Sequence, residues 1–131
     1  MNGQNLDRLC AQYGWQMAKE VCRALGKNAE NHITKSLGVL QEDGVYAFFL
    51  YQVSRGESEK QGAEKLKKQV KELLRAVPIK PFEEIDDPLE AVRGNDTVKG
   101  LADDLDDLLL AKRLMELALI YARYHVKALE G

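Results

Sequence analysis

Apolar residues in the last third of the chain recur with the period of an α-helix. From Leu101 onward they are spaced by three, four and seven positions, which places them on one face of a helix. A second apolar row begins beside the first at Leu110. We therefore predict one long helix over residues 97–129, whose C-terminal half is enclosed by other helices or by another chain. The first row comprises Leu101, Leu105, Leu108, Met115, Leu119, Ala122, Val126 and Leu129.

Four shorter helices are predicted ahead of this one from the same periodicity. Gly26 ends the first, because glycine readily takes the backbone conformation found just after a helix. Asp43-Gly44 separates the second from the third, which is the most apolar segment outside the C-terminal third. Pro78 ends the fourth, since the residue before a proline disfavours helical geometry. The predicted ranges are residues 6–25, 31–41, 45–55 and 58–77.

Residues 78–100 are predicted to form an irregular connection, because they contain all three prolines of the chain. Within it, Asp87-Pro88 is typical of a helix start, with an acidic N-cap and a proline in the first helical position. Gly94 ends this short helix after about two turns. The pattern as a whole predicts an all-α fold, a compact bundle of five to six helices with a long C-terminal helix, in one domain spanning residues 1–131.

Length and composition fit such a bundle. A chain of 131 residues, with 45% hydrophobic and 31% charged residues, can bury a core without a disulfide or a metal. Cys10 and Cys22 lie in the first predicted helix, about 18 Å apart along its axis, so they cannot form a disulfide with each other. The sequence has no secretory leader and no unbroken apolar run long enough to cross a membrane. We therefore expect a cytoplasmic protein that does not enter a membrane.

The net charge of −2 conceals an uneven distribution of charge along the chain. Residues 55–75 carry a net charge of +3, whereas residues 83–107 carry a net charge of −8. A molecule with one basic and one acidic surface can associate head to tail, and such a contact produces a stack if nothing closes it into a ring. Two interpretations are open: self-association by stacking, or two charged faces that are simply solvated.

The fourth predicted helix carries the strongest candidate for binding. Five of its basic residues fall within a sector of about 100°, away from its apolar residues. Such side chains can neutralise a phosphate backbone without reading its sequence, although an ordinary solvated face is the alternative. Lys19, Arg23 and Lys27 form a smaller basic stripe along the first helix, where Trp15 is expected at a helix edge or in an interface. We call the main set the basic face; its residues are Lys60, Lys67, Lys68, Lys71 and Arg75.

Acidic residues supply the best candidate for catalysis. Carboxylates three or four positions apart on a helix can hold a divalent cation, and all-helical nucleotide pyrophosphohydrolases use paired acidic motifs of this kind. Aspartates at the start of a helix are also favoured by its dipole without any metal. We assign no metal and no cofactor. A metal-dependent pyrophosphohydrolase is kept as an alternative function, with the acidic set Glu84, Asp87, Asp103 and Asp107.

Other catalytic chemistry finds little support in the sequence. His32 and His125 have no neighbouring cysteine, acid or serine in a spacing typical of a zinc site or a catalytic triad. Neither glycine motif for phosphate binding, GxxxxGK[ST] or GxGxxG, occurs. Neither cysteine has a visible activating base. We therefore predict a protein without catalytic residues, in which both histidines are partly buried structural residues.

Two segments resemble a known protein family. Residues 37–50, LGVLQEDGVYAFFL, and residues 117–129 are similar to segments of the small helical subunits of Cmr-type (type III-B) CRISPR effector complexes. The resemblance implies a non-catalytic subunit that stacks in several copies beside guide RNA and target RNA, together with the other subunits of the complex. It also implies that the basic face contacts the RNA backbone. A helical homo-oligomeric adaptor that binds no nucleic acid is a further alternative.

Overall fold

A computed structural model describes residues 5–130 of the chain, with side chains through Leu129. Within this range the regular secondary structure is helical, apart from one isolated β-bridge between Gly94 and Lys99. The predicted all-α fold class is therefore confirmed. None of the described helices is both long and apolar enough to cross a membrane. The α-helices are α1 (Leu6–Leu25), α2 (Ala29–Asp43), α3 (Val45–Val53), α4 (Lys60–Ala76), α5 (Lys80–Glu84), α6 (Pro88–Arg93) and α7 (Leu105–Glu130).

The helix α1 packs against both α4 and α7, and these three helices form the body of the bundle. The helix α7 also packs against α2, while α3 contacts α2, α4 and α6. At Gly14 the backbones of α1 and α7 lie so close that a Cβ atom on Gly14 would be 2.8 Å from the carbonyl oxygen of Ala118. This crossing therefore requires a residue without a side chain, and Gly14 sets how α1 lies on α7.

One connected cluster of buried apolar side chains draws on every α-helix. Near α3 its largest members are aromatic: the rings of Phe48 and Phe49 meet edge to face, with centroids 5.3 Å apart. Phe49 in turn lies 6.0 Å from the ring of Phe82, which comes from α5. Aromatic pairs at such distances add about 0.5–1.5 kcal/mol to the free energy of burial. Phe82 therefore anchors the connection between α4 and α7 in the core.

The proline-containing connection between α4 and α7 holds two short helices. As predicted, α6 begins after Asp87, whose side chain accepts a hydrogen bond from the backbone N–H of Leu89 (3.4 Å). Gly94 ends α6 with a φ of 81°, in the left-handed region that favours glycine. The sequence does not predict α5, because a helix of five residues is too short to show a helical period.

The long C-terminal helix begins at Leu105, so the predicted start at residue 97 is wrong. The Asn95 side chain accepts hydrogen bonds from the backbone N–H groups of Thr97 and Val98, at 2.9 and 2.8 Å. These bonds close a turn, because a short polar side chain offers the backbone an alternative to helical hydrogen bonds. The backbone N–H of Asn95 also donates to the carbonyl oxygen of Val98 (2.9 Å), and Gly94 forms the β-bridge with Lys99, so these residues close a loop that is separate from α7.

The residues that precede α7 form its cap. A 3-10 turn covers Leu101–Asp103, and the side chain of Asp104 then accepts a hydrogen bond from the backbone N–H of Asp107 (3.1 Å). Most residues of the predicted apolar row are buried, but two of them are exposed. Leu105 is 67% exposed and Leu129 is 49% exposed, because both lie near the ends of α7.

Candidate nucleic-acid interface

The basic face lies on the side of α4 that points away from the core. Leu66 and Leu73 are fully buried on the opposite side of the helix. Lys60 and Lys68 are exposed, and Lys67 is half-buried. None of these three lysines takes part in the ion pairs of the described residues. Their charges are therefore available to an anionic partner.

The two cations in the C-terminal half of the basic face share one carboxylate within the molecule. Oδ1 of Asp86 accepts hydrogen bonds from Nζ of Lys71 (3.1 Å) and from Nη2 of Arg75 (2.9 Å). The bond from Lys71, and next the bond from Arg75, hold the pKa of the Asp86 carboxyl below its ordinary value. Nε of Arg75 also donates to the carbonyl oxygen of Phe82 (2.7 Å). Two of the five predicted contact residues therefore fasten the connection to α4.

A groove of about 430 Å³ runs between α1 and α4. Arg23 of α1 lines it together with Lys65 and Lys68 of α4, so basic residues of both helices meet on one side of the molecule. Glu20 and Glu64 line the groove as well. Oε1 of Glu20 is buried and has no hydrogen-bond partner among the described residues. A donor such as a ribose hydroxyl would satisfy this oxygen, whereas a phosphate placed directly against it would be repelled.

Trp15 extends this surface along α1. Trp15, Lys19 and Arg23 follow one another at four-residue spacing on one side of the helix. Nζ of Lys19 lies 5.6 Å from the centre of the indole ring. The ring of His125, on α7, meets the indole edge to face with centroids 5.2 Å apart. Trp15 as a whole is 38% exposed, so it still presents surface to solvent although α7 also contacts it.

The acidic residues considered for a hydrolase come together only in part. Glu84, Asp103 and Asp107 line a second groove, of about 380 Å³, which Asp87 does not line. Oδ2 of Asp103 is occupied by a hydrogen bond from the backbone N–H of Gly100 (3.0 Å), and two lysines face the same groove. In residues 5–130 no group of three acidic, histidine or cysteine side chains is placed to hold a metal ion. The carboxylates in this groove lie at helix ends, and they do not converge on one point.

His32 belongs to a buried polar network between α2 and α3. Its Nε2 atom lies 2.9 Å from Oε1 of Gln52, and Nε2 of Gln52 donates to Oγ of Ser36 (2.8 Å). Because an amide oxygen can only accept, Nε2 of His32 carries the proton. Nδ1 of His32 is buried without a hydrogen-bond partner in the described part of the chain. Burial lowers the pKa of His32, so its imidazole is a neutral structural group.

We expect acid to destabilise the fold through His32. Below about pH 6.5 the unfolded chain binds a proton at this histidine, whereas the folded chain resists protonation because its pKa is lowered. Stability from this source is full above that pH and falls as the pH decreases toward the folded-state pKa. Thermal unfolding between about pH 7.5 and about pH 5.5 should show a smaller fall in melting temperature for His32→Asn than for the wild type. An equal pH dependence of both proteins would contradict this account.

Comparisons of the chain with protein-family models, with curated proteins and with solved structures gave no match. The function must therefore be inferred from the surface of the molecule. Two features of that surface stand out physically: the basic residues of α1 and α4 along one groove, and the exposed indole of Trp15 beside them.

Two residues of this surface are not apparent from the sequence. Lys65 lies outside the sector of the basic face and reaches the site only because α1 packs beside α4. Asp86 neutralises Lys71 although 15 residues separate them in the chain, and no local spacing predicts such a contact. Helical phase could have placed Lys65 at the margin of the exposed side. The partner of Lys71 depends on how the connection folds back onto α4.

Proposed function

We propose that the protein is a non-catalytic small subunit of a CRISPR RNA-guided interference complex of the Cmr type, acting in the cytoplasm. In this role it assembles in stacked copies with the other subunits and contacts the backbones of guide RNA and target RNA. One observation carries the RNA contact: Lys68 and Arg23 line one groove, beside Lys60 and Lys67, whose charges have no ion-pair partner among the described residues. Cations from two adjacent helices can follow a phosphate backbone without reading bases.

Charge complementarity supports the stacking of copies. Residues 83–107 carry a net charge of −8, and residues 55–75 carry a net charge of +3. Within one molecule Asp86 already pairs with Lys71 and Arg75. The other exposed acids of this segment could meet the lysines of a neighbouring copy in the same way. A neighbouring copy and RNA would then compete for the basic face, so the two roles require different lysines or different moments of assembly.

We expect Lys60→Glu/Lys67→Glu/Lys68→Glu to bind single-stranded RNA at least about tenfold more weakly than the wild type at about 0.1 M salt, with the fold intact. The slope of log Kd against log salt should fall by about 2, since each lost phosphate contact contributes about 0.7. Anisotropy of a labelled RNA over a salt series measures both quantities. Purification of the tagged protein from its native host, with sequencing of retained RNA, tests assembly with larger subunits.

The matched control is Lys35→Glu/Lys80→Glu/Lys99→Glu, which changes the net charge equally through three exposed lysines outside the basic face. It should bind RNA within about threefold of the wild type, because distant charges are screened by salt. Asp86→Asn acts in the opposite direction: it releases the two cations that Asp86 holds and should steepen the salt dependence. Unchanged RNA affinity in the basic-face variant, or an equal loss of RNA affinity in both triple variants, would contradict the assignment of the basic face as the RNA contact.

A further inference from the structure

Trp15 is the one tryptophan of the chain, and it is held firmly at the surface. The residue before it, Gly14, is buried where α1 crosses α7, so the backbone at this point has little freedom. His125 of α7 supports the indole from the side, Nζ of Lys19 lies over the ring at 5.6 Å from its centre, and Trp15 remains 38% exposed. An aromatic surface that is already ordered loses little conformational freedom when a flat ligand stacks on it.

Cationic side chains continue from this ring along α1. Arg8, Lys19 and Arg23 share with Trp15 a sector of about 80° on the helix. From Trp15 to Arg23 the helix rises about 12 Å, so the two residues can contact different nucleotides of the same strand. The groove that Arg23 shares with Lys68 carries the same surface onto α4.

We propose that Trp15 stacks on an unpaired nucleobase of a single-stranded RNA, while Lys19 and Arg23 contact the adjoining phosphates. The inference rests on the proposed function, because it specifies which part of the bound RNA, an unpaired base, contacts this surface. Every base has a π-face, so stacking adds affinity without sequence preference. A base inside a paired stem is covered on both faces by its neighbours, and Trp15 cannot stack on it there.

The surroundings of Trp15 favour a nucleic acid over a protein partner. A stable protein interface buries about 800 Å² on each partner around an apolar centre. On this face of α1 the larger neighbours of Trp15 are polar or cationic, namely Arg8, Gln12, Lys19 and Arg23, and the exposed apolar neighbour Ala11 is small. A single aromatic ring in a row of cations matches the alternation of bases and phosphates in a single strand.

The intrinsic fluorescence of the chain reports directly on this contact, because Trp15 is its one tryptophan. Titration of the full chain with unstructured oligouridine RNA should quench the tryptophan emission with the same Kd that anisotropy of the labelled RNA gives. A base-paired hairpin with equal phosphate number should quench less at equal occupancy. Trp15→Ala should weaken oligouridine binding about 5- to 150-fold. Its salt slope should stay unchanged, because no phosphate contact is lost.

Two further variants separate stacking from folding. Trp15→Phe keeps an aromatic ring and should retain more RNA affinity than Trp15→Ala. If circular dichroism shows that Trp15→Ala does not fold, the RNA affinity of Trp15→Phe relative to the wild type tests stacking instead. Leu50→Ala removes another exposed apolar side chain, on α3, and should bind RNA like the wild type. The quenching experiment itself needs no variant, so a folding defect cannot remove the test.

Stacking and the proposed function fail in different ways. If RNA binds and the basic-face variant binds weakly, but tryptophan emission is unchanged and Trp15→Ala binds normally, stacking is overturned and the proposed function stands. If the wild type binds no RNA at any salt concentration, both are overturned. A change of wild-type tryptophan emission that depends on protein concentration without RNA, and that RNA does not alter further, identifies a second copy as the occupant and overturns the stacking.

Discussion

Truncation of Phe82 to alanine is expected to lower the free energy of unfolding by about 3–5 kcal/mol. Phe82 is fully buried although it comes from a helix of five residues. Its ring packs against Phe49 of α3, with centroids 6.0 Å apart. Removing the ring leaves a cavity, and the surrounding side chains lose contacts that no neighbouring group replaces. The connection between α4 and α7 would lose its main attachment to the core.

Urea denaturation followed by circular dichroism measures this loss. The midpoint should fall while the slope of free energy against urea stays the same, because the same surface is exposed on unfolding. Glu83→Ala, at the exposed neighbouring position, is the control and should change the free energy of unfolding by less than about 0.5 kcal/mol. A loss below about 1 kcal/mol for Phe82→Ala would contradict the packing of α5 described above.

The position of Phe82 also connects the core with the charge on α4. Its carbonyl oxygen accepts the hydrogen bond from Arg75, and Asp86, four residues later, binds both Arg75 and Lys71. If α5 leaves its place, these two cations lose their partners and become available to an anion. The cationic charge that α4 offers to RNA therefore depends on the packing of a side chain in the core.

The longer helices could be predicted because their apolar faces repeat over several turns. The limits of α1 and the start of α3 agree with the prediction, and α2 and α4 begin within two residues of it. The start of α7 could not be predicted from periodicity, since residues 94–99 are held in a loop by the hydrogen bond from the Asn95 N–H to the Val98 carbonyl oxygen and by the β-bridge between Gly94 and Lys99. Leu105 shows the same limit: it has the spacing of a core residue, yet no neighbouring element covers it.

The candidate site could be predicted as a side of a helix but not as an arrangement. Helical phase alone places Lys60, Lys67 and Lys68 away from the core, and all three lie there. Which cations are neutralised is a tertiary property, because Asp86 reaches α4 only when the connection folds back. The groove that Arg23 helps to line likewise exists only because α1 and α4 pack side by side.

Replacing Gly14 by valine is expected to destabilise the fold by about 3 kcal/mol through the crossing of α1 and α7. A Cβ atom at this position would lie 2.8 Å from the carbonyl oxygen of Ala118 and 2.8 Å from Cβ of Tyr121. Neither atom can rotate away, since one belongs to the backbone and the other is fixed to it. The two helices must therefore separate, which exposes buried apolar surface such as that of Met17.

Gly38→Ala is the control that separates crowding from helix propensity. Gly38 lies in α2 with open space where its Cβ would be, so alanine there should raise stability by about 0.5–1 kcal/mol. Urea denaturation should thus shift in opposite directions for the two glycine variants. Because Trp15 follows Gly14 and contacts His125, separation of the helices should also change the tryptophan emission of folded Gly14→Val. A Gly14→Val variant as stable as the wild type would show that α1 and α7 do not cross in contact at this residue.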